Sequence, residues 1–294
     1  MASAPLLDRE FLEKLERLTI HWQKSFAGLV GGHNKSRFPG AGQEFLDHRS
    51  FLHGDDLRAV NWRAYMRLEK LFLKMFQVEP RVPVRLLLDV SASMGTHGGL
   101  KFDYARKLAG ALCYVGLVRL DSIEIHGFTS RLQQRVYSSG GRHRFSIVME
   151  GLSAMRAAGA TDYLSMVREF SGAYSQRGLV IVISDFLDDN GCERGLQYLT
   201  DFGHELMLLQ IWSDEDRTPP WVGELELRDA ETGASLKLDF DEDARTRYQQ
   251  DFDEYCSVLQ TIALRSGGRY AGISTSQSLE SVIFGDLIRV RGIA

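Results

Sequence analysis

The sequence predicts an α/β fold: a mostly parallel central sheet with helices on both faces. Three observations predict it. The segments "VRLLLDV" and "GLVIVISD" are apolar throughout, as strands buried on both faces are. From Val84 onward, strand-like and helix-like segments alternate, which is the pattern of parallel strands joined by crossover helices. The chain has 294 residues, 44% of them hydrophobic, which is enough to cover such a sheet.

The elements follow in order. Leu7, Phe11, Leu15, Leu18, Trp22 and Phe26 recur at helical spacing between Pro5 and Gly31-Gly32. This predicts an N-terminal amphipathic helix whose apolar stripe docks on its own domain rather than on a membrane or partner. A segment rich in glycine and in charges of both signs comes next. In it, "DDLRAVNWRAYMR" predicts a short helix with acids at its start, and "LFLKMFQVE" a strand. Beyond Val84, strands are expected at "VRLLLDV", "DSIEIHGF", "RLQQRVY", "GLVIVISD", "ELMLLQIW" and "RYAGIST". Helices are expected at "KFDYARKLAGALCYVGLV", "HRFSIVMEGLSAM", "DYLSMVREFSGAYSQ", "GCERGLQYLTDFG", "DEDARTRYQQDFDEYCSVLQTIALRSGG" and "SLESVIFGDLI". "GELELRDAETGASLKLDF" predicts a β-hairpin inserted near 223–240, with Gly233 in its turn. The expected division is residues 1–82, the N-terminal helix and the mixed-charge segment packed on the main domain, and residues 83–294, the α/β domain itself.

Composition excludes several classes. A net charge of −4 gives no global field for nucleic acid, and Glu44, Asp47, Asp55 and Asp56 oppose the nearby basic residues. No apolar run is long enough to cross a bilayer. Asp8, Glu10 and Glu13 are foreign to a signal peptide. The three cysteines, Cys113, Cys192 and Cys256, form no CxxC pair, so reduced thiols in a cytoplasm are expected.

The stretch "LLLDVSASMG" ends a buried strand with Asp89, Ser91 and Ser93 at alternate positions. "AAGATDYL" puts Thr161 at a helix start, and "GLVIVISD" ends in Asp185. Ligands of open parallel sheets bind beyond the carboxyl ends of the strands, so these three loops can meet at one sheet edge. All five side chains offer hard oxygen, without sulfur or imidazole, which suits Mg2+ or Mn2+ and, less well, Ca2+. The plainer reading is that Ser93 and Thr161 cap helices and Asp185 is a turn acid. His97 lies near the first loop and is expected to face solvent.

This constellation resembles the metal-ion-dependent adhesion site of the von Willebrand factor A superfamily, whose ligands come from a D-x-S-x-S loop, a threonine and an aspartate. The match implies a Rossmann-like von Willebrand factor A fold, with Asp89, Ser91, Ser93, Thr161 and Asp185 as metal ligands. Upstream, "GAGQEF", "HRSFLHGDDLRAVNWRAYMR" and "LFLKMFQVE" resemble the signature of the bacterial domain of unknown function fifty-eight. Phe45, Arg49, Gly54, Asp55, Asp56, Arg58, Trp62 and Arg67 match it, while Phe51 replaces a tyrosine and Met66 a small residue. The resemblance covers roughly Ser36 to Ala294. It implies a soluble companion of a MoxR-type AAA+ ATPase, binding a carboxylate of a protein client through the metal. Arg49, Arg58, Arg63 and Arg67 are a candidate partner surface. The alternatives are a magnesium-dependent phosphoryl-transfer hydrolase with Asp89 as nucleophile, and a framework protein with a purely structural metal. Ser91 stands where a dehalogenase-like enzyme has its second aspartate, no G-x-S-x-G elbow surrounds either serine, and no Walker loop is present. Those three features favour a binding module over an enzyme.

Overall fold

The computed structural model describes residues 7–20, 37–39, 44–52, 55, 57, 60–77, 83–119, 121–139, 141–188 and 191–293. The chain divides into two compact units, Met1–Lys24 with Val82–Ala294, and Ser25–Arg81. The N-terminal helix therefore groups with the α/β unit and not with the mixed-charge segment, a partition different from 1–82 and 83–294.

The large unit is built on a six-stranded sheet. Its strands are β4 (Val84–Asp89), β5 (Ile123–Phe128), β6 (Leu132–Ser138), β7 (Leu179–Ser184), β8 (Glu205–Trp212) and β11 (Arg269–Ser274). They lie in the order β11-β8-β7-β4-β5-β6. Every pairing is parallel except β5 with β6, which is an antiparallel edge. Strand order reverses between β4 and β7, so the chain departs from this pair in opposite directions. A crevice at their carboxyl ends follows from that topology.

Alternate side chains of the central strands enter separate cores. Leu86, Leu88, Ile181, Ile183, Leu209 and Ile211 face one side. They pack there with α1 (Arg9–Leu15), α3 (Thr96–Val118), α4 (Phe145–Ala154) and the C-terminal turns. Leu87, Val180, Val182, Leu206 and Leu208 face the other side. They meet α5 (Tyr163–Ala173), α6 (Cys192–Asp201) and α8 (Glu242–Arg265). Helices thus cover both faces, as the unbroken apolar strands require. The expected hairpin is present as β9 (Gly223–Arg228) and β10 (Ser235–Phe240).

The small unit is a three-stranded antiparallel sheet, β1 (Arg37–Pro39), β3 (Phe72–Gln77) and β2 (Glu44–Ser50), with helix α2 (Trp62–Leu68). Val60 and Leu73 are its buried centre, with Phe51 and Leu71 against them.

Several expectations are corrected. Helix α1 stops at Leu15, because Leu15, Leu18 and Ile20 are all buried and the chain turns so that Ile20 bridges Ile293. The stripe docks on its own unit, as expected; Trp22 and Phe26 lie outside the described residues. Helix α2 starts at Trp62, capped by Asn61, and no acid occupies its first turn. Asp55 is engaged elsewhere, accepting from Arg49 and from the Leu52 amide, both at 2.8 Å. Strands β1 and β2 were hidden by their charges, and the four-residue helix α7 (Asp214–Arg217) is too short to leave a periodic signal. The last helix is a brief α9 (Leu279–Ser281) that runs into a π-helical turn, Val282–Leu287.

Gly268 precedes β11, and a Cβ there would lie 1.7 Å from the Leu206 carbonyl oxygen. Gly268→Ala is expected to cost about 3 kcal/mol or more. Gly285→Ala, with nothing within 4 Å of its Cβ, should change stability by less than about 0.5 kcal/mol. Urea denaturation of the two variants checks the pair.

Candidate functional site

Strand β4 delivers Asp89 to its carboxyl end at 1% exposure, and Asp185 follows β7 at 2%. Each Asp89 oxygen is used. Oδ1 accepts the Ser91 amide at 2.9 Å, and Oδ2 accepts the Ser184 hydroxyl at 2.6 Å. Ser184 in turn accepts from the Tyr163 hydroxyl at 2.7 Å and the Phe186 amide at 2.8 Å. With both of its acceptor positions filled, its one hydrogen points at Asp89. Ser91 and Ser93 share a hydrogen bond of 2.9 Å between their Oγ atoms.

Backbone bonds stitch the second loop to the first. Ala92 N–H donates to the Gly159 carbonyl at 2.8 Å, and Ala158 N–H to the Val90 carbonyl at 2.8 Å. Thr161 lies two residues further on. Its hydroxyl donates to Glu231 Oε1 at 3.2 Å and its amide to Glu231 Oε2 at 2.8 Å.

The capping account fails for both hydroxyls. Asp162 caps α5 through the Ser165 amide, and no side chain caps the 3-10 turn Ser93–Gly95. Asp185 does serve as a turn acid, accepting the Leu187 amide at 3.3 Å. The residue between them, Phe186, holds a left-handed φ of 57°, an uncommon state for a bulky side chain.

The site also holds a lysine. Lys101 is 1% exposed, and its Nζ lies 2.8 Å from Asp185 Oδ2 and 3.2 Å from Asp216 Oδ2. Burial lowers its pKa, but Asp185 and Asp216 outweigh that and raise it, so the ammonium stays charged. Before it, His97, Gly98 and Gly99 all have left-handed backbone, with φ of 52°, 70° and 82°. The chain is redirected there, and Lys101 falls in the first regular turn beyond. His97 does not simply face solvent: its Nε2 is 3.0 Å from Glu215 Oε2. Nothing in the sequence flags Lys101, Asp216 or Glu231, which come from α3, α7 and the hairpin turn. Ser184 and Tyr163 stood beside residues already singled out.

Burial, and then the neighbouring Asp185 carboxylate, push the Asp89 pKa up to about 7. Among the described residues no three His, Cys, Asp or Glu side chains form a metal cage of their own. The carboxylates and hydroxyls supply oxygen donors that suit a hard divalent cation, and the Lys101 ammonium stands among them as a competing cation. A cation there would offset the repulsion that raises Asp89, with Lys101 already neutralising part of it.

The arginine surface is only partly described. Arg49 pairs with Asp55, Arg63 and Arg67 are exposed on or beside α2, and Arg58 lies outside the described residues. No helix among the described residues is long and apolar enough to cross a membrane.

Comparison with known proteins agrees with the family signature. Residues 47–255 match the family described as "Protein of unknown function DUF58". The "Uncharacterized protein Rv1480" of Mycobacterium tuberculosis (strain ATCC 25618 / H37Rv) is 25% identical over 242 residues, 80% of this chain and 75% of its own. Among solved structures, the conserved hypothetical protein BatB from Bacteroides thetaiotaomicron overlays with a TM-score of 0.46 at 17% identity, covering 71% of this chain and 98% of that one. A von Willebrand factor type A protein from Catenulispora acidiphila gives 0.44 at 13% identity, over 71% and 41% of the two chains.

The raised Asp89 pKa has a sign that can be checked. Unfolded, the group titrates near its ordinary 3.8; folded, near 7. Between those values the folded chain holds a proton that the unfolded chain has lost. Its contribution to stability therefore falls as pH rises across that window. In chelator, Asp89→Asn is expected to flatten this fall, and saturating Mg2+ to reduce it in the wild type. Urea denaturation at several pH values from 4 to 7 measures both. The match over residues 47–255, which bracket the whole β4–β7 crevice, means that this chain belongs to the DUF58 family.

Proposed function

We propose that this chain is a metal-dependent protein-binding module. In this reading, Asp89, Ser91, Ser93, Thr161 and Asp185 hold Mg2+ or Mn2+, and the ion recognises a carboxylate of a protein client. The observation that carries it is the release of the hydroxyls from capping. Ser91 and Ser93 bond each other next to buried Asp89, and Thr161 bonds the chain's own Glu231 from a loop tied to theirs by backbone hydrogen bonds. When bound, the ion supplies a strong, oriented attraction for carboxylate oxygen. The serines and threonine offer lone pairs, and Asp89 and Asp185 supply negative charge.

The wider setting rests on the family resemblance: partnership with a MoxR-type AAA+ ATPase in assembly or remodelling of other proteins. Three free cysteines suit the cytoplasm as its place. Binding is favoured over phosphoryl transfer because both Asp89 oxygens are engaged at 1% exposure, a poor position for a nucleophile.

One observation favours a second reading. Lys101 already places a cation between Asp185 and Asp216, so the cluster could be a framework in which the ammonium holds the loops.

Calorimetric titration separates the two. Mg2+ or Mn2+ is expected to bind the wild type at one site and not Asp89→Ala. Equal binding by both would remove these ligands from consideration, and no binding to the wild type would leave the framework reading. Lys101→Met should cost about 3–5 kcal/mol without metal, because it strands Asp185. Under the metal reading, saturating Mg2+ restores part of that loss.

Thr161→Ala tests the partner. It is expected to cost only about 0.5–1.5 kcal/mol of stability, one hydrogen bond. Capture of the ATPase from extract in Mg2+ should nevertheless fall by tenfold or more. Capture indifferent to chelator and to Thr161→Ala would move the contact elsewhere, with Arg58 and Arg63 the next positions to reverse.

A further inference from the structure

The inserted hairpin carries one carboxylate to Thr161, the candidate ligand of the second loop. Strands β9 and β10 pair from Gly223↔Phe240 to Arg228↔Ser235, which leaves residues 229–234 as the connecting turn. That turn is held from within. Asp229 Oδ1 accepts the amides of Glu231 at 2.7 Å and Thr232 at 2.9 Å. Asp229 N–H donates to the Ala234 carbonyl at 2.8 Å, and Gly233 N–H to the Asp229 carbonyl at 3.0 Å. Gly233 takes a φ of 72°, which glycine adopts without strain. The fixed turn presents Glu231, and both its oxygens land on one residue, Thr161.

Three facts make this more than a surface contact. First, Thr161 is the one candidate ligand of the second loop. By giving its hydrogen to Glu231, its hydroxyl keeps both lone pairs for a cation. Second, the crevice already holds Asp89 and Asp185, so a further carboxylate is repelled from it unless donors or a cation compensate. Third, the hairpin is otherwise lightly held, since most residues of β9 and β10 are exposed and Leu236 is 63% exposed.

We propose that Glu231 is an internal carboxylate ligand of this centre: the hairpin holds it at Thr161, in the place an acidic client residue would take, and a client must displace it. The proposal rests on the reading of the centre as a metal site. The centre is then closed by default, and the hairpin is the part that a partner has to move.

The test uses the full chain, Mn2+ as probe, and the variants Glu231→Ala and Glu231→Gln. Water-proton relaxation counts the exchangeable waters on bound Mn2+, and amide exchange follows the Thr161 N–H. Both variants are expected to bind Mn2+ with one more exchangeable water than the wild type. In Glu231→Ala the Thr161 amide should exchange roughly two- to tenfold faster, having lost its acceptor. Glu231→Gln keeps the side chain's size and one acceptor oxygen while removing the charge and the second acceptor, so it guards against a simple loss of folding. Mn2+ bound with the same hydration in all three proteins overturns this inference and leaves the metal reading standing. Absence of Mn2+ binding from all three overturns both.

Discussion

Two carboxylates that repel each other are held side by side at the end of the central sheet, and the surrounding groups are arranged around that cost. Asp89 and Asp185 come from β4 and β7, the pair at which strand order reverses. Burial removes the water that would screen them. Ser184 and the Ser91 amide each donate to Asp89, and Lys101 donates to Asp185. Tyr163 and the Phe186 amide then orient Ser184, and Tyr255 donates to the Phe186 carbonyl at 2.8 Å. Contacts from α3, α5 and α8 thus converge on two acids. The donors and the lysine offset part of the repulsion, and a proton on Asp89 offsets more of it below about pH 7.

The sheet and its helices were legible because their signal is local. Buried parallel strands are unbroken apolar runs, and "VRLLLDV" and "GLVIVISD" carry that signal within themselves. The D-x-S-x-S spacing was legible for the same reason, since alternate residues of an extended chain share a side. Lys101 was not. Its sequence neighbours make it look like an ordinary exposed helix lysine, and only the left-handed backbone at 97–99 turns it inward. Glu231 was equally silent, because its partner Thr161 is 70 residues away and nothing in a hairpin's pattern says where its tip lands. Strand β1 is too short, and β2 too polar, to show an alternation in the sequence. The shorter α1 reflects tertiary packing of Leu18 and Ile20 overriding a helical period.

Lys101 also changes how the charge of the centre is counted. With Asp185 and Asp216 both at one ammonium, and Asp185 acting in turn on Asp89, the cluster is less negative than its acids alone suggest. Under the proposed metal reading, a dipositive ion would meet a site partly neutralised in advance, which would weaken its hold and leave more of its charge for an outside ligand. In that reading, modest affinity for the ion and strong attraction for a carboxylate would both follow from the same lysine.

The alternation of Leu86, Leu87 and Leu88 between two cores has a further consequence. The backbone of the sheet lies between the two sets of side chains, which form separate buried clusters. Substitutions in one compartment should then combine additively with substitutions in the other, because neither can repack to compensate. Each hydrophobic compartment is free to drift in sequence on its own. The crevice, fed by α3 from one side and by α5 and α8 from the other, is where the two histories have to agree.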